Sequence, residues 1–179
     1  MDRPAGRSGD CISAVIFDMD GVVTDTADAH FAAWKKVFDE VLEARGDDAE
    51  FTRDDYFAHV DGIPRHDGVR RFLRARGIEL PEGEERAEDL DSVRGIGNRK
   101  NRYFLNWLDG HRVPVFEDAV ELIDGLKKAG IDVGVFSASR NAPRVLESAG
   151  IARLFGATVG GADAQERGLS PKPAPDQLE

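Results

Sequence analysis

Cys11-Ile-Ser-Ala-Val-Ile-Phe17 runs directly into Asp18-Met-Asp-Gly-Val-Val-Thr-Asp25. The first run is short, apolar and β-rich, too brief for a helix and too apolar for a half-exposed strand. It predicts a strand buried on both faces, the pattern of a parallel sheet. The second run then forms a loop at the strand's C-terminal end, where open α/β sheets place their ligands. Asp18 and Asp20 stand there two residues apart.

Beyond this loop the hydrophobic period becomes helical. Phe31, Trp34, Phe38, Val41 and Leu42 recur at three- and four-residue spacing until Gly46. Val69, Phe72 and Leu73 mark another helix, and Tyr103, Phe104, Trp107 and Leu108 a further one. Between them Pro81 to Asp89 is an acidic loop or a solvated helix face. Residues 28–111 carry no strand pattern, so this segment is expected to be an all-helical insert. After Pro114 the chain alternates. Val120, Ile123 and Leu126 predict a helix with acids at its start and Lys127 and Lys128 at its end, which complements the helix dipole. Gly130 follows as its C-terminal cap. Ile131 to Phe136 reads as a second buried strand, Ala142 to Ala149 as a helix between Pro143 and Gly150, and Ala157 to Val159 as a short third strand. Such alternation specifies an α/β fold with a parallel sheet and right-handed crossovers. The expected division is an α/β core of residues 1–27 and 112–179, with the helical segment 28–111 inserted.

Composition narrows the function. The 179 residues are 41% hydrophobic and 32% charged, the balance of a globular protein of one domain or a core with an insertion. No apolar run reaches membrane-spanning length, so no membrane partner is expected. Met1 to Asp10 is polar and lacks the apolar stretch of a signal peptide, which makes the cytoplasm the expected compartment. The net charge of −10 argues against nucleic-acid binding. The one cysteine, Cys11, can form no intrachain disulfide and reads as a small core residue.

Three chemical pieces fall at the ends of the three strands: Asp18 and Asp20, then Ser137, then Lys172 within Ser170-Pro-Lys-Pro-Ala-Pro-Asp176. A carboxylate that attacks phosphorus splits a difficult transfer into two easier steps. A hard cation such as Mg2+ prefers oxygen ligands and neutralises phosphate charge. A hydroxyl can donate to a phosphoryl oxygen, and a lysine supplies a compact positive charge. Bland alternatives stand beside these readings. Arg65 is also suited to a solvated helix start, Arg140 and Asn141 to capping the next helix, Trp34 to the core, and Lys100 to an exposed basic face between Arg99 and Arg102. Ser137 has no Gly-x-Ser-x-Gly frame, and Gly95-Ile-Gly97 follows no strand, which disfavours a serine hydrolase and a dinucleotide site. His59 and His66 have no partners at zinc-site spacing.

Phe17-Asp-Met-Asp-Gly-Val-Val-Thr-Asp-Thr26, Ser137 and Lys172 resemble, in order, three motifs of the haloacid dehalogenase (HAD) superfamily. Thr24 to Trp34, Gly62-Ile-Pro-Arg65, Asn98-Arg-Lys-Asn101, Ser137-Ala-Ser-Arg-Asn141 and Lys172-Pro-Ala-Pro-Asp176 resemble its β-phosphoglucomutase-like subfamily. The resemblance implies a Rossmann-like three-layer core with a helical cap inserted after strand one. It also implies Mg2+-dependent phosphoryl transfer on a phosphorylated sugar through an aspartyl phosphate. Asp18 would be the nucleophile and Asp20 the general acid and base. Mg2+ would bind the Asp18 carboxylate and the Asp20 carbonyl. Ser137, the Ala138 N–H and Lys172 would hold the transferring group, while Arg65, Ser139, Arg140 and Asn141 held a second phosphate. His30 and Lys100 would line the cap side. A sugar-phosphate phosphatase is the alternative, and a catalytically incomplete fragment or regulatory domain a second one. Arg140 stands where the subfamily has Lys, and Pro64 and Gly68 where it has Ser. The superfamily's fourth motif, an acidic pair after a further strand, is absent. A fused or associated C-terminal segment is therefore expected to supply the remaining metal carboxylates.

Overall fold

The computed structural model describes residues 12–170, 172 and 174–178. Cys11, read above as a core residue, lies outside the described residues. Three parallel strands, β1 (Ala14–Asp18), β2 (Asp132–Phe136) and β3 (Ala157–Val159), form one sheet in the order β1-β2-β3. Asp18 pairs in register with Phe136, and Phe136 with Val159, so the three strands end level with one another. That common edge carries the loops of interest.

The helices follow from their sequences. In α1 (Ala27–Glu43), Ala29, Ala33, Trp34, Val37, Phe38, Val41 and Leu42 are buried at helical spacing. Thr52 and Asp55 close a capping box over α2 (Arg53–His59), and Ser92 accepts from the Gly95 N–H to start α4 (Val93–Gly110). Between these lies α3 (Arg65–Ala75), and all four helices fall between β1 and β2 in the chain. Then come α5 (Glu117–Lys128), α6 (Ala142–Ala149) and α7 (Gly161–Arg167). Gly150, after α6, has a φ of +76°, the left-handed conformation that glycine adopts without a Cβ penalty.

Two hydrophobic clusters result. The first joins Phe17, Val133 and Val135 of the sheet to Ile123 of α5 and to Val145 and Leu146 of α6. It also takes Ala29 and Ala33 from the start of α1 and Phe104 and Leu108 from the end of α4. The second packs Trp34, Phe38, Phe51, Phe72 and Ile96 among the helices alone, with Phe38 and Phe72 rings 4.0 Å apart. Helices α1 and α4 thus belong to the sheet cluster at one end and the helical cluster at the other.

The chain enters and leaves the helical segment side by side. Asp25 N donates to the Pro114 carbonyl at 3.0 Å, Phe116 N donates to the Val23 carbonyl at 3.1 Å, and Thr24 and Val115 form an antiparallel bridge.

One expectation needs correction. Strand β1 is not buried on both faces among the described residues. Val15 and Phe17 face the cluster, but Ile16 is 45% exposed. Alternation puts Ala14 and Ile16 on the other face with Gly134, Phe136, Ala157 and Val159, where they line an apolar groove of about 370 Å³. The run is apolar on both faces, yet the described helices pack against only one.

Candidate active site

The strand ends open on a cavity of about 440 Å³ whose far wall is made by α1, α3 and α4 and the loop after α2. At its floor, Asp18 Oδ1 accepts from the Met19 N–H at 2.8 Å and from Lys172 Nζ at 2.7 Å. Residues 18 and 172 are far apart in sequence, and the lysine is steadied by the Phe136 ring 4.0 Å below its ammonium.

Asp20 lies one loop position beyond. The loop is tight because the Met19 carbonyl accepts from the Val23 and Thr24 N–H groups and the Thr24 hydroxyl, while Gly21 turns at a φ of +78°. Asp20 Oδ1 accepts from Thr26 Oγ1 at 2.7 Å, and Oδ2 accepts from Ser137 Oγ at 2.9 Å. Burial alone would raise its pKa, but the nearby His30 ring and the hydrogen bonds from Thr26 and Ser137 outweigh that and lower it to about 2. The carboxylate is therefore ionised at neutral pH. Ser137 is fully buried, and its oxygen also accepts from the Ser139 N–H at 3.0 Å.

The far wall is cationic. Lys100 is only 5% exposed, with its ammonium 2.8 Å from His30 Nδ1 and over the faces of Trp34 and Phe104. Burial, then the charge of Arg65, lowers its pKa to about 7, against the pull of Asp20. In its charged form Lys100 has no acceptor lone pair, so in that form it donates to His30 Nδ1 and the histidine proton is on Nε2. That atom lies 3.5 Å from Asp20 Oδ1 without a hydrogen-bond partner. Burial and the Lys100 charge push the His30 pKa down, and the ring stacks on Phe104 at 4.1 Å. Arg65, the first residue of α3, donates to Asn101 Oδ1 at 2.8 Å. Burial first and the charge of Arg140 second lower its pKa to about 10.

All eleven residues singled out by sequence fall at this one place. Asp18, Asp20, His30, Arg65, Lys100, Ala138, Ser139, Arg140, Asn141 and Lys172 line the cavity, and Ser137 bonds to Asp20 just beneath it. The bland alternatives fare differently. Asn141 occupies the N-cap of α6 but makes no capping bond; its side chain donates to Asn101 at 2.7 Å. Lys100 faces inward, whereas Arg99 and Arg102 pair with Glu40 and Glu88 near the surface. Trp34 is a core residue that also lines the cavity. Sequence reasoning missed Tyr56, Asp61, His66 and Asn101 in the wall. Of these, Asn101 closes the Asn98–Asn101 segment next to Lys100, and Tyr56 has no sequence signal apart from the capping box ahead of it.

This geometry has close relatives. The haloacid dehalogenase-like hydrolase family model matches residues 12–179. The chain is 38% identical over 177 residues to the β-phosphoglucomutase of Mycobacterium bovis, covering 93% of this chain and 66% of that one. It is 34% identical over 152 residues to the β-phosphoglucomutase of Bacillus subtilis, covering 83% and 60%. The chain thus spans just under two thirds of the length of these curated relatives. The crystal structure of β-phosphoglucomutase from Clostridium difficile aligns at a TM-score of 0.72 and 27% identity, over 94% of this chain and 68% of that one. Strand ends that carry Asp18, Asp20 and Ser137, with Lys172 reaching Asp18 from beyond α7 rather than from the end of β3, and a family match over nearly the whole chain, place it in the haloacid dehalogenase-like hydrolase family.

Proposed function

We propose that this chain carries out phosphoryl transfer on a phosphorylated sugar, of β-phosphoglucomutase type, through an acyl phosphate formed on Asp18. The observation that carries the reading is the contact of Lys172 with Asp18 at 2.7 Å, facing a wall that holds Lys100 and Arg65. A lone carboxylate–lysine pair would be a surface ion pair. Here it forms the floor of a cavity with cations on the opposite side, which suits a substrate with a phosphate at each end.

Asp18 attacks phosphorus, and the bond to the sugar oxygen breaks. Asp20, ionised at neutral pH, first takes the proton of the sugar hydroxyl that accepts the phosphoryl group from Asp18, and then gives that same proton to the leaving sugar oxygen when Asp18 attacks the other phosphate. Ser137, the Ala138 N–H and Lys172 bind the transferring group, and Arg65, Ser139, Arg140 and Asn141 bind the other phosphate. The helical segment 28–111 acts as a cap that excludes water and so favours the sugar hydroxyl over hydrolysis.

The oxygen donors fit Mg2+, which takes one or two carboxylates, keeps several waters and uses substrate phosphate oxygens. Asp18 offers a carboxylate, and the Asp20 carbonyl accepts no backbone hydrogen bond among the described residues. The described residues contain no cluster of three or more metal-binding side chains. When bound, Mg2+ would neutralise charge on the phosphoryl oxygens.

Incubation with acetyl phosphate and Mg2+, followed by mass spectrometry, should place one phosphoryl group on Asp18. Asp18→Asn should remove it while the circular dichroism spectrum is kept. A phosphoenzyme that survives this substitution refutes the nucleophile assignment. With β-glucose 1-phosphate the expected product is glucose 6-phosphate; steady release of phosphate without it assigns a sugar phosphatase instead.

A further inference from the structure

Asn101 has no role in the scheme above, yet two of the residues assigned to the second phosphate converge on it. Arg65 Nη2, at the start of α3, donates to Asn101 Oδ1 at 2.8 Å. Asn141 Nδ2, in the loop after β2, donates to the same oxygen at 2.7 Å. The orientation of the carboxamide is fixed by chemistry, since a guanidinium can only donate and must meet the oxygen. One oxygen therefore receives a donor from the helical segment and another from the sheet side, across the cavity.

The charges make this arrangement unusual. Arg65 is half-buried, and the charge of Arg140 acts on it. Among the described residues neither arginine is paired with a carboxylate, although nine other lysines and arginines are. A half-buried guanidinium left facing a neutral amide oxygen is a weaker arrangement than a charge-assisted pair. A carboxylate at position 101 would pair Arg65 outright. The neutral oxygen keeps the two donors together and leaves their charge uncompensated.

We propose that Asn101 is the specificity-determining residue of this second anion position: its carboxamide oxygen stands where an oxygen of a phosphate monoester binds, keeping Arg65 and Asn141 aimed at one point until that oxygen replaces it. The inference rests on the reading of Arg65 and Asn141 as phosphate ligands. It adds that position 101 must above all be neutral to admit a dianion, its polarity contributing the smaller share by aligning the two donors.

The test compares Asn101→Asp with Asn101→Ala in the full chain, using glucose 6-phosphate as the probe and calorimetry to measure Kd. Asp keeps the shape and both hydrogen bonds but brings a competing charge; Ala removes the bonds and brings none. Asn101→Asp should weaken binding at least tenfold, and Asn101→Ala no more than about threefold. A residue that served only packing would give the opposite order, because Asp is the closer isostere. Thermal melts of both variants establish that they fold. Equal binding by Asn101→Asp and the parent chain, weaker binding by Ala than by Asp, or binding indifferent to Arg65→Ala, each overturns the proposal. The phosphoryl-transfer reading fails separately, if acetyl phosphate leaves Asp18 unmodified; the order of the two variants still decides the role of Asn101.

Discussion

Replacing Lys100 with Met should flatten the dependence of stability on pH between pH 7 and 9.5. Lys100 is 5% exposed and lies between the Trp34 and Phe104 rings, at 4.8 and 5.2 Å, with His30 Nδ1 2.8 Å away. Its folded pKa falls from 10.5 to about 7 because burial disfavours the ammonium, Arg65 repels it, and Asp20 compensates only in part. Between these two values the unfolded chain holds a proton that the folded chain has released, so stability rises with pH. The limiting slope is about 1.4 kcal/mol per pH unit, and the two pKa values together give a rise of about 2–3 kcal/mol from pH 7 to 9.5. Other groups in contact with this region leave most of the window clear, Arg65, lowered to about 10, contributing only near its upper end. His30 is pushed down from 6.5 and titrates below it, and Tyr56 is pushed up from 10.0, so that its difference from the unfolded chain begins above it. Urea unfolding followed by circular dichroism at half-unit pH steps measures the slope. Met matches the length of the lysine stem, and comparing slopes cancels any constant cost of leaving His30 Nδ1 unpartnered. Equal slopes in the parent chain and Lys100→Met would refute the claim that a buried amine loses its proton on folding.

Two further outcomes bear on the frame of the cavity. A Cβ at Gly161 would overlap the Ala138 carbonyl oxygen, which is backbone and cannot swing aside. Gly161→Ala should therefore cost about 1–3 kcal/mol, seen as a lower urea midpoint, and should displace the Ser137–Asn141 loop. Phe38→Ala removes a fully buried ring at the centre of the helical cluster, within 4.0 Å of Phe72 by ring centroids, and should cost about 3–5 kcal/mol by the same assay. A loss under 1 kcal/mol would mean that the cluster collapses around the gap.

The strands and the long helices were legible because their residues are arranged by burial. Asp132–Phe136 and Ala157–Val159 are compact apolar runs bounded by glycines or loops, and α1 buries seven residues at regular spacing. Helix α6 lies where Pro143 and Gly150 punctuate the chain. Helix α7 left no such mark: it is seven residues long and buries only Ala164. Helix α2 buries only Tyr56, and its signal was the Thr52–Asp55 capping box rather than a hydrophobic period. The exposed side of β1 was not legible because apolar side chains on two faces look alike in sequence, whichever face is covered. At the site, Asp18, Asp20 and Ser137 could be assembled in advance because each ends a strand or follows one, whereas Lys172 follows α7 and was legible from its Pro-rich frame. The wall could not. Asn101 and Tyr56 reach the cavity through the packing of α2, α3 and α4 on one another, and no spacing within a single helix encodes that.

The paired crossing at Thr24 and Val115 has a consequence for how such a chain tolerates change. Because Asp25 bonds to Pro114 and Val23 to Phe116, the sheet side sees everything between them as one very long hairpin loop whose ends are already clipped together. The entropy of closing a loop grows only with the logarithm of its length. Helices can therefore be lengthened, shortened or exchanged beyond the clip with little penalty to the sheet. Asp18 and Asp20 on one side of it, and the cavity residues Arg65, Lys100 and Asn101 on the other, are free to diverge at different rates within a single polypeptide.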